Sequence, residues 1–240
     1  PNQITYTATL SGGVAKNDIT VTLANDEVIT IKAGETSGSV SIDVQGDDVY
    51  RDGETIENSI KEVSEGSAKP QLENLEVADN TDVSVTVEDT IDTVTAHLTA
   101  SETVAEDGNI TYEVELRDAN GDAVTAKEAV TVTLTLPDGT TTDVLIGANS
   151  SSNSVEFTVV NDIYDIDSVS GSITDISGGA SFEKLEFNGD AQSTGVTDTD
   201  SIDTVTVDLS ADVLSIAEGV DGDNQPNQIT YTATLSGGVA

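Results

Sequence analysis

The sequence predicts an all-β protein made of tandem immunoglobulin-like antiparallel β-sandwiches that are joined end to end. Two observations carry this prediction. Segments in which Val, Ile and Thr alternate with polar residues are separated by turn residues about every eight to twelve positions, a spacing typical of sandwich strands. The same order of segments returns after about 110 residues, so the fold is repeated along the chain.

The repetition also defines the predicted domains. Residues Pro1–Ala15 are identical to residues Pro226–Ala240, so the repeated opening falls inside a domain. We predict three parts, which are an immunoglobulin-like repeat lacking its first strand at 1–90, a complete repeat at 91–201, and the first strands of the next repeat at 202–240. The third part is expected to complement the first part of a neighbouring chain, which would give one split domain and head-to-tail self-association.

Within the complete repeat, the alternation predicts seven strands. They are Asp92–Thr99, Ile110–Leu116, Val130–Leu136, Thr142–Ile146, Val155–Val160, Val169–Ile176 and Phe182–Phe187. Asn120-Gly121 and Asp138-Gly139 are predicted as tight turns, where glycine supplies a positive φ. Segment 54–66 has a spacing that a short helix could have, but its counterpart 167–179 is rich in Ser, Gly and β-branched residues. We therefore predict strands in both.

Charge is the most unusual property of the composition. The chain has 45 acidic and only 8 basic residues, a formal net charge of −37, which disfavours nucleic acid as a partner. Aromatic residues make up only 3% of the chain, so we expect a core that is poor in large side chains. The many carboxylates need to be screened, and a divalent cation is the natural candidate. Without cysteine, disulfides are excluded. The sequence has no apolar run of membrane-spanning length, so membrane insertion is not expected.

The first candidate metal cluster lies where one domain runs into the next. Ca²⁺ takes oxygen ligands from carboxylates, carbonyls and water, and this joint is rich in acids without a Gly/Ser linker. The candidate ligands are Glu88, Asp89 and Asp92, their counterparts Asp198, Asp200 and Asp203, and the turn residues Glu106 and Glu218, which could complete the shell. The alternative is a set of solvated linker carboxylates.

The second candidate cluster is an acidic loop. Four carboxylates within eight residues repel one another strongly unless a cation lies among them. The candidate ligands are Asp47, Asp48, Asp52 and Glu54, with counterparts Asp162, Asp165 and Asp167. The alternative is a polar turn whose aspartates serve only the backbone.

Two further acidic stretches have oxygen ligands at alternate positions, as at the start of an EF-hand loop. Asp221 and Asp223 form a weak third candidate, because the distal bidentate glutamate is missing. Asp118, Asn120 and Asp122 have similar spacing, but they occupy the expected hairpin, so a turn is favoured over a metal site.

No catalytic constellation is found, so an enzyme is not expected. The one histidine, His97, lies on a predicted strand and is interpreted as an exposed strand residue. The sequence has no zinc-protease, nucleophile-elbow or P-loop motif. Tyr6, Tyr112 and Tyr231 occupy the same place in a repeated strand and are predicted to be core. Tyr50 and Tyr164 recur beside the acidic loops and are predicted to pack under them.

The repeat length, the acidic joint "VEDTIDTV" and the stretch "AGETSGSVSIDVQGDDVYRDGET" resemble the extender repeats of giant bacterial repeats-in-toxin (RTX) adhesins. This family includes biofilm and ice-binding adhesins that are exported by type I secretion. The resemblance implies calcium at the joints between domains, a bacterial cell-surface location, and a spacer role between an anchor and distal ligand-binding domains. The family's glycine-aspartate nonapeptide, a calcium β-roll motif, is missing, so this stretch is not a β-roll region.

Two functions from different classes follow. One is a calcium-rigidified structural extender, whose partners are the neighbouring repeats of the same adhesin. The other is a sandwich that itself binds a glycan or a protein. Repetition favours the extender, because a spacer needs copies and a receptor site needs only one. An exposed cluster of aromatic or apolar residues would favour the binding module, and none is evident in the sequence.

Overall fold

The computed structural model describes residues 2–79, 81–164, 166–197, 203–219 and 227–238. Every regular element in these residues is a β-strand, which confirms the predicted all-β class. Among them there is no helix long and apolar enough to cross a membrane. The chain divides into two compact units, and a short stretch late in the sequence belongs to the first. The first unit contains Pro1–Thr93 and Ala180–Lys184, and the second contains Val94–Gly179 and Leu185–Ala240.

The described residues of the first unit form seven strands in three small sheets. The strands are β1 (Gln3–Thr9), β2 (Ile19–Leu23), β3 (Val28–Ile31), β4 (Ser37–Asp43), β5 (Glu54–Asn58), β6 (Ile60–Glu65) and β7 (Val83–Val87). β1 pairs with β4, β2 lies between β3 and β6, and β5 pairs with β7, all antiparallel. The core forms because β2 alternates strictly, with Ile19, Val21 and Leu23 buried against Ile29 and Ile31 of β3.

The second unit contains the larger sheets. Its strands are β8 (Thr93–Ala100), β9 (Thr103–Ala105), β10 (Asn109–Arg117), β11 (Val130–Thr135), β12 (Thr141–Ile146), β13 (Ser152–Thr158), β14 (Ser168–Gly178), β15 (Lys184–Phe187), β16 (Gln192–Thr197), β17 (Thr204–Ala211) and β18 (Tyr231–Gly238). One sheet has the order β13-β10-β8-β15 and a second has the order β12-β11-β14-β16-β9. β17 and β18 form a separate two-stranded hairpin.

The two larger sheets pack face to face, which confirms the predicted immunoglobulin-like sandwich. Tyr112 of β10 is fully buried, and a Cβ atom added to Gly171 of β14 would lie 2.8 Å from its ring. Strands of opposite sheets therefore touch where glycine leaves room for the tyrosine. Around this contact, β8, β10 and β11 each bury alternate Val, Leu, Ile or Ala side chains.

Each of the seven strands predicted for the complete repeat overlaps a strand of the structure, and both segments 54–66 and 167–179 are strands as predicted. Two strands of this repeat, β9 and β16, were not predicted from the sequence. β9 has three residues, too few for a readable alternation, and β16, with the sequence QSTGVT, carries only one large apolar side chain. They pair in parallel with each other. The predicted turns are confirmed, since Gly121 and Gly139 have φ values of +88° and +80°.

The predictions succeed for Tyr6, Tyr50 and Tyr112 and fail for Tyr164 and Tyr231. Tyr6 and Tyr112 are buried, as predicted. Tyr231 is exposed, because β17 and β18 form a two-stranded sheet that no second sheet covers among the described residues. Tyr50 is half-buried beside the acidic loop, where Phe182 stacks on it with ring centroids 5.5 Å apart. Tyr164 is exposed, which contradicts its predicted packing, because no ring covers it among the described residues.

Candidate functional site

The acidic loop lies between β4 and β5 of the first unit. Asp48 folds it locally, because its carboxylate accepts a hydrogen bond of 2.7 Å from the backbone N–H of Tyr50. The same turn recurs in the second repeat, where Asp162 accepts a bond of 2.7 Å from the N–H of Tyr164. One aspartate of each loop thus has the backbone role that the polar-turn alternative requires.

Strand pairing brings this loop to the acidic stretch that follows β7. Glu54 at the start of β5 lies opposite Val87 at the end of β7. The residues before Glu54 and those after Val87 therefore meet at one edge of the pair. A Cβ atom on Gly53 would lie 2.9 Å from the Val87 carbonyl oxygen and 3.1 Å from an Asp89 carboxylate oxygen, so this contact requires glycine.

Side-chain contacts join the two stretches further. The hydroxyl group of Thr90 donates a hydrogen bond to the carboxylate of Asp47. Two groups of candidates that were predicted separately, the loop and the joint, therefore form one acidic region within the first unit.

A third segment, residues 180–184, completes the region. The backbone N–H of Arg51 donates to the Ser181 carbonyl at 2.8 Å, and the N–H of Glu183 donates to the Val49 carbonyl at 3.1 Å. The guanidinium group of Arg51 donates to the carbonyl oxygen of Glu183 at 3.0 Å. Phe182 between them is buried against Tyr50. The Glu183 carboxylate accepts a hydrogen bond from the backbone N–H of Asp92.

Together with Asn2, these three segments enclose a cavity of about 300 Å³. It is lined by Asn2, Gln45, Gly46, Asp47, Asp48, Asp52, Gly53, Glu54, Val87, Glu88, Asp89, Thr90 and Glu183. Seven of these residues are acidic, and the described lining holds no lysine, arginine or histidine. The donor set is therefore made entirely of oxygens. Within the described part of the chain, no three carboxylates already stand in an arrangement that could hold a metal ion.

The pKa of Tyr50, beside the cavity, is shifted by its surroundings. Burial raises the pKa of its phenol above the usual 10.0, and the nearby negative charge of Asp48 raises it further. The phenol is therefore neutral at physiological pH and adds no charge of its own. The described lining has no cationic side chain that would offset the charge of the seven acidic residues.

The other candidates lie elsewhere. Asp92 is half-buried and meets the region through its backbone, Asp167 precedes β14, and Asp203 precedes β17. Glu106 follows β9 in the second unit, and Glu218 is exposed beyond β17. Asp165, Asp198, Asp200, Asp221 and Asp223 lie outside the described residues. Asp118 accepts backbone hydrogen bonds from Asp122 and Asn120, which lower its pKa and explain it as a turn residue.

Sequence reasoning missed Glu183 and Thr90. Glu183 lies 91 residues beyond its backbone partner Asp92, in a segment that reads as an ordinary strand. Thr90 is one of many threonines and carries no signal of its own. Only the Phe-Glu-Lys-Leu-Glu-Phe pattern, with a large aromatic residue next to an acid, marks the segment at all.

The sequence pattern of the LapA domain matches residues 1–90 and residues 92–199. The chain belongs to the LapA domain family. The LapA domain is associated with a large biofilm adhesin, so this chain is an adhesin-associated region that carries two matches to the domain. A comparison with curated proteins finds no significant match.

Several solved structures are similar in fold, among them the following three. The crystal structure of CBD12 from CALX1.2 is 14% identical over 82% of this chain and 93% of that chain, with a TM-score of 0.30. The calcium binding domain CBD12 of CALX1.1 is 14% identical over 81% and 93%, with a TM-score of 0.32. The S-layer protein rSbsC(31-844) is 16% identical over 95% of this chain but 30% of that chain, with a TM-score of 0.26. These TM-scores are too low to support an argument about the site.

Proposed function

We propose that this LapA-family chain is a structural spacer of a bacterial cell-surface adhesin, which carries distal ligand-binding domains away from the cell for adhesion and biofilm formation. Family membership supports the adhesin context, and with it an extracellular location. The repetition of one sandwich in the chain supports the spacer role, because length is gained by copying a domain. Export by type I secretion and the absence of catalysis are part of the same proposal.

We propose also that Ca²⁺ binds in the acidic cavity of the first unit. The observation that carries this is the convergence of seven acidic residues from three segments on one cavity whose described lining has no basic side chain. Ca²⁺ prefers about six to eight oxygen ligands and tolerates irregular geometry. Asp47, Asp52, Glu54, Asp89 and Glu183 would hold the ion, and their side chains would turn inward to reach it.

The bound ion would act mechanically. Glu88 and Asp89 follow β7 and lead within a few residues into β8, the first strand of the second unit. An ion that fixes these carboxylates would restrict the backbone that connects the two repeats. Removing this freedom at every joint would make a tandem array stiffer, which is what a spacer requires.

Calcium titration of the full chain tests the site. We expect binding with a Kd of about 10⁻⁴–10⁻³ M, as in extracellular modules, and much weaker binding of Mg²⁺. Free calcium at about ten times the Kd should stabilise the first unit by about 1.4 kcal/mol. The double variant Asp47→Asn with Asp89→Asn should lose this response.

The matched control removes the same charge outside the cavity. Asp79 and Asp82 are exposed residues of the same unit that do not line the cavity. The variant Asp79→Asn with Asp82→Asn should bind calcium like the parent. Equal loss of binding in both double variants would mean that calcium binding depends only on the net charge of the chain. The proposed site would then be wrong.

A further inference from the structure

The connection between β14 and β15 carries the chain of the second repeat into the first unit. β14 pairs with β11 and β16, and β15 lies beside β8, so both strands belong to sheets of the second unit. Residues Ala180–Lys184, which end at the first residue of β15, belong to the first unit. The chain therefore passes from one unit to the other three times, after Thr93, after Gly179 and after Lys184. Two repeats joined by a linker alone would need only the first of these passages.

Two glycines set the point at which the chain leaves β14. The strand ends at Gly178, and this residue and Gly179 have φ values of +87° and +60°. A Cβ atom on Gly178 would lie 2.4 Å from the carbonyl oxygen of Ala129. The backbone N–H of Gly179 donates a hydrogen bond of 3.2 Å to the same carbonyl oxygen. This geometry strongly favours glycine, so the exit toward the first unit is specified by the sequence.

Inside the first unit, the segment forms an antiparallel β-bridge in which Phe182 lies opposite Tyr50. Backbone hydrogen bonds of 2.8 and 3.1 Å join the two stretches of chain on either side of this pair. The two rings stack with an interplanar angle of 19°, and Phe182 is 1% exposed. The guanidinium group of Arg51 adds its bond to the Glu183 carbonyl oxygen. The loop 49–51 therefore holds the segment through backbone, ring and guanidinium contacts.

None of these contacts uses a carboxylate. The hydrogen bonds run from N–H groups to carbonyl oxygens, and the stacking is between two rings, so a cation in the acidic cavity is not part of either. Glu183 is the residue of the segment that lines the cavity, and its carboxylate accepts a hydrogen bond from the Asp92 N–H. The bridge and the stack therefore have no requirement for a metal ion.

We propose that residues 180–184 are a docking segment, received by the loop 49–51, that holds the second repeat to the first without a metal ion. A linker alone leaves neighbouring domains free to move relative to each other. A second attachment removes part of that freedom, which serves the spacer that we propose. The proposed calcium ion restrains the chain at Glu88 and Asp89 instead, so either restraint can fail without the other.

Amide hydrogen exchange in chelator tests the docking, because the N–H groups of Arg51 and Glu183 are donors in the bridge. We expect both amides to exchange slowly in the parent and at least tenfold faster in Phe182→Ala. Phe187→Ala, at a ring that is 36% exposed, is the control and should leave both rates unchanged. The amides of β2, in the core of the same unit, show whether the unit stays folded. Phe182→Leu, which keeps an apolar side chain, gives the same comparison should Phe182→Ala lose the protection of β2.

A disulfide gives a second test, since the chain has no cysteine of its own. By the register of the bridge, Arg51 lies opposite Ser181. Directly opposite residues have Cβ atoms about 4.5–5.5 Å apart, close to the span of a disulfide. The chain that carries both Arg51→Cys and Ser181→Cys should therefore form an intramolecular crosslink under mild oxidation. We expect the same yield at every protein concentration, and the same rate in calcium and in chelator.

The restraint on the repeats is measured by small-angle X-ray scattering in chelator. Phe182→Leu should give a more flexible profile than Phe187→Ala does, because it weakens the second attachment while both repeats stay folded. Equal profiles for the two variants would show that the docked segment does not restrain the repeats, and the proposal would be wrong.

Two further results would overturn the proposal. One is amide protection, or a crosslink, that appears only in calcium, because docking would then be a consequence of metal binding. The other is fast exchange of the Arg51 and Glu183 amides in the parent while β2 stays protected, because the segment would then not dock. The calcium site is tested separately. Asp47→Asn with Asp89→Asn should lose calcium binding and keep the protection of both amides, so a failure of the calcium site is distinguishable from a failure of docking.

Discussion

At the residue scale, the 45 acidic side chains have different roles. Glu65 accepts backbone hydrogen bonds from Gln71 and Leu72, and one from the side chain of Asn17. Asp18 and Asp26 pair with Lys32 and Lys61 at the surface. Exposed ion pairs of this kind contribute little to stability. The cavity instead gathers seven acidic residues, and its described lining contains no lysine, arginine or histidine.

Gly53 is the residue whose size matters most at the cavity. Gly53→Ala would force its Cβ against the Val87 carbonyl and the Asp89 carboxylate, so we expect it to destabilise the first unit by about 1–3 kcal/mol. It should also weaken calcium binding. Gly46 lines the same cavity but has no atom within 4 Å of an added Cβ, so Gly46→Ala is the control. Thermal unfolding and calcium titration of both variants check this, and equal behaviour would contradict it.

Glu65 makes a pH-dependent contribution. The hydrogen bond from the Gln71 N–H, with those from Asn17 and Leu72, lowers the pKa of Glu65 below its usual 4.5. Because the folded pKa is lowered, the stabilisation by Glu65 is present above about pH 4.5 and is lost as the pH falls through the folded pKa. The stability difference between the parent and Glu65→Ala should therefore shrink between pH 7 and pH 3. Urea unfolding at both values tests this, and a difference that does not change with pH would refute it.

At the element scale, local pattern and long-range pairing account for different parts of the structure. Alternation along β2, β8, β10 and β11 is strong enough to be read directly, and their burial follows it. The bulge between Thr22 and Leu23 recurs between Thr133 and Leu134, so the repeat extends to irregular details. β16 could not be predicted, because its place depends on pairing with β14 and β9 and its own sequence is polar.

The site was predicted only in its parts for the same reason. The acids of the loop and of the joint are visible in the sequence, but their meeting depends on the pairing of β5 with β7. Glu183 lies 91 residues beyond Asp92 in the sequence, and the residues around it do not indicate that it lines the cavity. The sequence therefore identifies several of the carboxylates that line the cavity, but it does not predict the strand pairing that brings them together.

Phe182 anchors the late segment to the first unit. Its side chain is 1% exposed, and truncation of a buried phenylalanine costs about 3–5 kcal/mol. Phe182→Ala should therefore destabilise the first unit by that amount and lower the pKa of Tyr50, which burial now raises. Phe187, at 36% exposure, is the control, and Phe187→Ala should cost less than about 1 kcal/mol. An ultraviolet titration of the tyrosines and urea unfolding measure both effects. A small loss for Phe182→Ala would show that the segment is not anchored by this ring.

At the scale of the whole molecule, the fold has to tolerate a net charge of −37 with cores built mainly from aliphatic side chains. Repulsion among the acids opposes the close approach of the carboxylates at the cavity. The calcium ion that we propose would relieve that repulsion at Glu88 and Asp89, which lead from one repeat into the next. Calcium would thus change the freedom of the connection more than the fold of either repeat.

Small-angle X-ray scattering of the full chain, with and without calcium, tests the calcium-held spacer most directly. Extrapolation of the scattering curves to zero concentration removes any contribution from association between chains. Millimolar calcium should give a longer maximum dimension and a more rigid profile than chelator does, and Asp47→Asn with Asp89→Asn should remove the difference. Identical profiles in calcium and in chelator would contradict the account.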